Sequence, residues 1–326
     1  MELLIPVSLI DHDDARNCTE ESLATIASFL GKDHMLMYKD AWHFAYVTHD
    51  LGAGPYMFGP LLKHDEKIGH NLEYLAQYHG IRFHYLKKST EPDISGFVMD
   101  ELKDSRPVAL DIDGFWCPWI AEYQTKHIDH GIVISGVDRS RCSFICTDSF
   151  YGKNGVTLPF NHLDNGLLGV YRYELTSSQI YRYEQIGADI LANYEKYGSL
   201  ESLEEFTADF GRYFDFATEI EGVPGYDVSL FYINFDRYRK NRNKMSKLLA
   251  FIAHRSQSEK IHGLSTDMHE IYRSWDIFHK YMLKLYLSGK FDGVKEKVIR
   301  YLNDILVKET QFYEKLKHAN TLFNYL

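Results

Sequence analysis

Three residues far apart in the chain have the types and order of a thiol enzyme: Cys18, His130 and Asp148. A cysteine nucleophile needs a base to take its proton, and the base needs an acid to fix its tautomer. Cys18 opens an apolar helical pattern that runs to Leu30, with Leu23, Ile26, Ala27 and Leu30 on one stripe and Gly31 as the stop. Asn17 is a fitting N-cap, and Glu20 stands three residues on, as in a capping box. Cys18 is therefore expected in the first turn, where the positive end of the helix dipole favours a thiolate. Glu20 and Glu21 oppose that effect, so an imidazolium nearby would be needed.

His130–Val137 reads as a buried strand, Asp138–Arg141 as turn chemistry and Cys142–Asp148 as the return strand. A turn centred near residue 139 would place His130 directly opposite Asp148, with Cβ atoms about 4.5–5.5 Å apart. The inference depends on register, because a slip of one residue would turn one side chain to the other face. His127, three residues earlier, is the second candidate for the base. A lone Cys at a helix start is commonly a packed small residue, and a lone strand His a satisfied polar group. The combination in this order is what points to catalysis.

The same residues carry a resemblance. Asn17-Cys18-Thr-Glu-Glu-Ser-Leu-Ala, Arg106-Pro-Val-Ala-Leu-Asp-Ile-Asp113, Cys117-Pro-Trp119, His130-Gly-Ile-Val-Ile-Ser-Gly136 and Thr147-Asp148-Ser149 together resemble the N-terminal domain of the butirosin biosynthesis protein H family. The similarity spans roughly residues 10–175 in short motifs whose order and spacing make the match. It departs from the family at Asn17, where the usual residue is His, and the C-terminal half matches only as a helical region. The resemblance implies a papain-like fold, distantly like bacteriocin-processing cysteine peptidases. It also implies acyl transfer from a carrier-protein thioester to an amine in antibiotic-type secondary metabolism. Cys18, His130 and Asp148 map to the nucleophile, base and acid. The phosphopantetheine of an acyl or peptidyl carrier protein would bring the acyl group, with no cofactor resident in the chain. His12, six residues before the cysteine, stands where a papain-like enzyme has the Gln of its oxyanion hole.

Around this core the sequence is read as α+β: early helices and an antiparallel sheet over 1–176, then an all-α domain over 177–326. Expected elements of the first part are helices at Tyr38–Val47, 64–79 and 94–104. Strands are expected at Ile81–Leu86, Pro107–Ile112, Gly155–Pro159 and Gly169–Leu175, with a loop at Gly52–Gly59. The second part reads as helices near 178–196, 199–219, 227–254, 264–288 and 293–322. Breaks are expected at Gly198, Glu221–Gly225, His262-Gly263 and Gly289. The 24 Tyr and 20 Phe residues favour aromatic packing between those helices.

The formal net charge of −10 argues against general nucleic-acid binding and suits a cationic substrate such as a polyamine or amino sugar. Asp111 and Asp113 share a strand face, and Trp116, Cys117 and Trp119 follow. Asp113 with Trp116 and Trp119 is thus the expected amine-binding wall, through charge and cation–π contact. A metal set of Asp111, Asp113, His127 and His130 matches no trusted spacing. Cys142 and Cys146 on one strand would be ~13 Å apart, too far to clasp an ion. Four cysteines in this length make no disulfide framework, and no basic-then-apolar leader or 18-residue apolar run is seen. A cytoplasmic protein is expected. The basic stretch Arg237–Lys247 is a candidate docking face for an acidic carrier protein, and homodimerisation is left open. The alternatives to acyl transfer are a thioesterase or peptidase of the same fold, or an adaptor without catalysis.

Overall fold

The computed structural model describes residues 2–48, 56–63, 70–89, 93–289 and 295–323. The chain divides into two compact units: Met1–His34 with Leu72–Ile180, and Met35–Asn71 with Tyr181–Leu326. The crossing at 180/181 lies close to the expected boundary at 176/177. Those at 34/35 and 71/72 were not expected: Met35–Asn71 leaves the N-terminal half and joins the helical unit.

The first unit is an α+β structure on a seven-stranded antiparallel sheet. Its strands are β1 (Glu2–Leu4), β2 (Ile81–Lys87), β3 (Val108–Asp113), β4 (Asp129–Asp138), β5 (Ser143–Asp148), β6 (Lys153–Pro159) and β7 (Leu167–Leu175). They lie in the order β2-β7-β3-β4-β5-β6, and β1 pairs with the end of β4. Helices α1 (Cys18–Phe29) and α3 (Ile94–Lys103) both pack on β3 and β4. Every residue from His130 to Val137 is buried, so β4 is covered on both faces. That is why it reads as one apolar run rather than an alternation. The remaining helices of this unit are α2 (Leu72–Tyr74, running into a π turn at Leu75–His79) and α4 (Phe160–Gly166). The expected helix 64–79 is thus observed over 72–79; its first six residues, and the first four of the Gly52–Gly59 loop, lie outside the described residues.

The helical unit contains α5 (Ile186–Lys196), α6 (Ser199–Tyr213), α7 (Phe216–Glu219), α8 (Leu230–Ser256), α9 (Glu259–Ser288) and α10 (Lys295–Phe323). Phe206, Phe210 and Phe214, spaced by four on α6 and at its end, meet Phe231 and Phe235, spaced by four on α8. The expected break at His262-Gly263 is not there. Gln257 takes the left-handed conformation and Ser258 caps α9, so Gly263 is carried inside a helix.

Residues 39–48 are also not the expected helix. They form an irregular, largely buried strap whose backbone bonds both to side chains of the unit and to the backbone of residues 61–63. Phe44 N–H donates to Ser199 Oγ, Ala45 N–H meets Tyr238 Oη, and the His43 carbonyl accepts from Arg242 Nη1. Long-range partners thus replace the i→i−4 ladder, which local periodicity cannot reveal. The strap delivers Trp42 to a fully buried carboxylate, Glu309, which accepts from Trp42 Nε1 at 2.5 Å, Trp275 Nε1 at 2.8 Å and Arg242 Nε at 2.8 Å. Arg242 also lies over the Trp275 ring, 4.5 Å from its centroid.

Removing Glu309 alone leaves a buried guanidinium and two indole donors without their acceptor. Glu309→Leu is expected to lose at least about 3 kcal/mol in urea unfolding followed by tryptophan fluorescence, and Arg242→Met with Glu309→Leu to recover part of that loss. A loss below about 1 kcal/mol would show that the network does not hold the bundle together.

Candidate active site

The helix that carries Cys18 starts where expected. Asn17 Oδ1 accepts from Glu20 N–H at 2.8 Å, and Glu20 Oε2 accepts from Asn17 N–H at 3.0 Å, a complete capping box. Leu30 is only half-buried, but Glu20 through Ala27 are all buried, so this is a core helix rather than a one-faced one. The two acids expected to oppose a thiolate are both engaged. Glu20 serves the cap, and Glu21 pairs with Arg16 at 2.9 Å and with His12 Nδ1 at 3.2 Å. His12 Nε2 faces Asp14 at 3.3 Å. Both ring nitrogens of His12 are thereby directed at carboxylates, so its role here is to hold the segment before Cys18.

His130 and Asp148 meet: Nε2 lies 2.7 Å from Asp148 Oδ2, with both side chains essentially removed from water. They do so in a register other than the expected one. Val133 pairs with Thr147, and a bulge between Ile134 and Gly136 shifts the rest of the ladder toward the turn. Continuing the pairing by one residue puts Asp148 opposite Ile132, two positions from His130. A two-residue offset keeps the side chains on one face and within diagonal reach, whereas one residue would have parted them. The return strand begins at Ser143, because Cys142 is in the turn at φ 48°.

Asp148 is held from three sides. Its Oδ2 also accepts from Trp119 Nε1 at 2.8 Å, and its Oδ1 accepts from Tyr151 N–H at 3.1 Å. The next residue, Ser149, bonds Thr25 of α1 at 2.9 Å and accepts from Ile10 N–H. Phe150 and Tyr151 pack edge-on to the His130 ring. Since the carboxylate occupies Nε2, the neutral imidazole carries its proton there, and Nδ1 is the basic nitrogen left for Cys18. Burial works against charge on His130. The hydrogen bond to Asp148, that to Cys18, and the charges of both outweigh burial, pushing its pKa up to about 9.

Cys18 is half-buried, with Sγ 3.8 Å from the Asp129 carbonyl oxygen. Its approach to His130 is set by a glycine. A Cβ on Gly131 would come within 2.7 Å of the Cys18 carbonyl carbon and oxygen and of Thr19 N. No side chain fits between β4 and the first turn of α1, so the residue beside His130 must be glycine. Of the other thiols, Cys117 and Cys146 are buried, which raises both well above the ordinary thiol range. Cys142 is exposed.

The expected amine wall is distributed differently. Trp119 holds Asp148 through its N–H. Trp116 fills the space above Gly166 and meets His162 edge-on at 5.4 Å. Asp113 caps the turn at Phe115 N–H and holds His127 Nδ1 at 2.5 Å. His127, the alternative base, is exposed, stacks on Phe115 and belongs to Asp113 rather than to Asp148. The candidate docking face on α8 is largely internal. Arg242 and Lys244 are buried, Arg239 pairs with Asp236 and Asp276, Lys240 pairs with Asp236, and Arg237 donates to Asn234. Gly131 and the Trp119–Asp148 bond were not anticipated; glycine directly after a candidate base was the visible signal for the first.

Gly131→Ala is expected to destabilise by about 1–3 kcal/mol and to separate Cys18 from His130, read as loss of preferential Cys18 alkylation. The raised His130 pKa gives a signed pH dependence. The protonated imidazole contributes stability that is complete below about 6.5, its unfolded value, and is lost as pH rises toward about 9. Relative to His130→Gln, the protein should lose up to roughly 3 kcal/mol of unfolding free energy across that window; parallel curves would show that His130 is not charged in the fold. No family model matches the chain, and no curated protein matches it either.

Proposed function

We propose that the protein is a cysteine-dependent acyltransferase with a papain-like catalytic unit, moving an acyl or aminoacyl group from a carrier-protein thioester to an amine. The observation that carries this reading is the buried His130–Asp148 pair, with the adjacent Gly131 lying against the backbone of Cys18 at the start of α1. An adaptor descended from such an enzyme would have no need of that pair or of the glycine beside it.

The chemistry follows from the geometry. His130 Nδ1 takes the Cys18 proton, and the sulfur attacks the thioester carbonyl. The first-turn amides of α1, which have no place in the helical ladder, face the developing oxyanion. As the tetrahedral intermediate collapses, the C–S bond to phosphopantetheine breaks and His130 returns the proton to the departing thiol. The acceptor amine then attacks acyl-Cys18, and His130 removes a proton from the nitrogen before Cys18 is released as thiol. Water in place of the amine would give hydrolysis by the same steps. The excess of acidic residues in the chain supports a cationic acceptor.

A phosphopantetheine thioester probe added to the purified protein should raise its intact mass by one acyl group. The adduct should map to Cys18, be absent in Cys18→Ala, and be discharged faster by a polyamine or amino sugar than by buffer. His130→Ala should slow its formation by at least about a hundredfold. An adduct that survives Cys18→Ala would overturn the assignment. Discharge indifferent to amines would turn the reading to a thioesterase.

A further inference from the structure

Resting on that reading, we infer that Asp111 is a positioning residue for Cys18, acting through the hydroxyl of Thr19. Thr19 follows the nucleophile in the first turn of α1, and its Oγ1 donates to Asp111 Oδ1 at 2.9 Å. The other oxygen of the same carboxylate accepts from Tyr171 Oη at 3.1 Å, and Tyr85 also bonds it. Tyr85 and Tyr171 are cross-strand partners on β2 and β7, with rings 4.7 Å apart. Asp111 is therefore anchored to two strands before it reaches the helix. A bulge between Asp111 and Ile112 in the pairing of β3 with β7 lies at this point, where such an irregularity can re-aim a side chain.

Across the sheet, Asp111 pairs with Gly131, the residue whose missing Cβ admits the Cys18 and Thr19 backbone. The two features are complementary. Gly131 permits the first turn of α1 to lie against β4, and Asp111 fixes how it lies there. A helix terminus is the end that frays, since its first amides lack the ladder bonds that hold the middle. Without the tie, the peptide linking Cys18 to Thr19 could rock on the glycine, moving both Sγ and the Cys18 N–H. Burial raises the Asp111 carboxyl above the usual carboxylate range, which reflects the cost of holding an acid in this position.

The test reads thiol reactivity, which does not depend on knowing the substrate. Iodoacetamide rates for all four cysteines are followed by peptide mapping at neutral pH. In the unmodified protein Cys18 should react well ahead of the exposed Cys142, with Cys117 and Cys146 protected. Thr19→Val and Asp111→Leu should slow Cys18 by about tenfold while Cys142 is unchanged. Thr19→Ser and Asp111→Asn, which keep the hydroxyl donor and an oxygen acceptor, should restore most of the rate. A variant that fails to fold would reveal itself by labelling Cys117 and Cys146, and the near-isosteric Thr19→Val then decides. Fast Cys18 in the parent with equally fast Thr19→Val overturns the clamp and leaves the catalytic assignment standing. Cys18 no faster than Cys142 in the parent overturns both.

Discussion

The arrangement of Cys18, His130 and Asp148 depends on one close approach: the backbone of β4 at Gly131 lies directly against the first turn of α1. The groups proposed to act on Cys18 meet across that contact. The adjacent residue on β4 is His130, the opposite residue on β3, Asp111, accepts from Thr19 of the helix, and the helix itself presents its unladdered amides at the same spot. A methyl group there would require backbone to move against backbone, which flexible side-chain ends cannot absorb.

The acid of the site shows how a buried charged pair is made tolerable. Asp148 sits at the end of β5 among apolar rings, where an unpartnered carboxylate would be costly. Three N–H groups reach it, from an imidazole, an indole and a backbone amide. The indole does more than fill space. By donating to the same oxygen that holds His130, it removes the freedom of the carboxyl to turn away from the imidazole. Phe150 and Tyr151 then keep water from the pair.

Much of this was legible in the amino-acid sequence, and the parts that were not share a cause. The α1 cap, the buried run of β4 and the turn after Asp138 are written in neighbouring residues. The meeting of His130 and Asp148 was anticipated although their register was not, because an even offset preserves the face. The bulge that makes the offset even lies beside Gly136, where a Cβ would strike the Leu3 carbonyl of β1, a partner more than 130 positions away in the chain. The strap at 39–48 looked helical because its apolar spacing fits a helix, while its hydrogen-bond partners sit on distant helices. Trp119 was read as a free aromatic face because its partner, Asp148, lies across a turn and a hairpin.

The strap bears on how the chain is made. Glu309 gathers donors from residues 42, 242 and 275, so the centre of the helical unit combines an early stretch of chain with the last long helix. A ribosome adds about 5–20 residues per second, so Trp42 emerges tens of seconds before its acceptor exists. During that interval the buried aromatic residues of 41–46 have no native cover and are exposed to chaperones and proteases. For the same reason a fragment cut at the end of the β-sheet unit would not separate two self-sufficient pieces. The sheet portion would carry an orphaned apolar strap, and the helices would lack a stacked indole at their core, where Trp42 lies 3.7 Å from Tyr194.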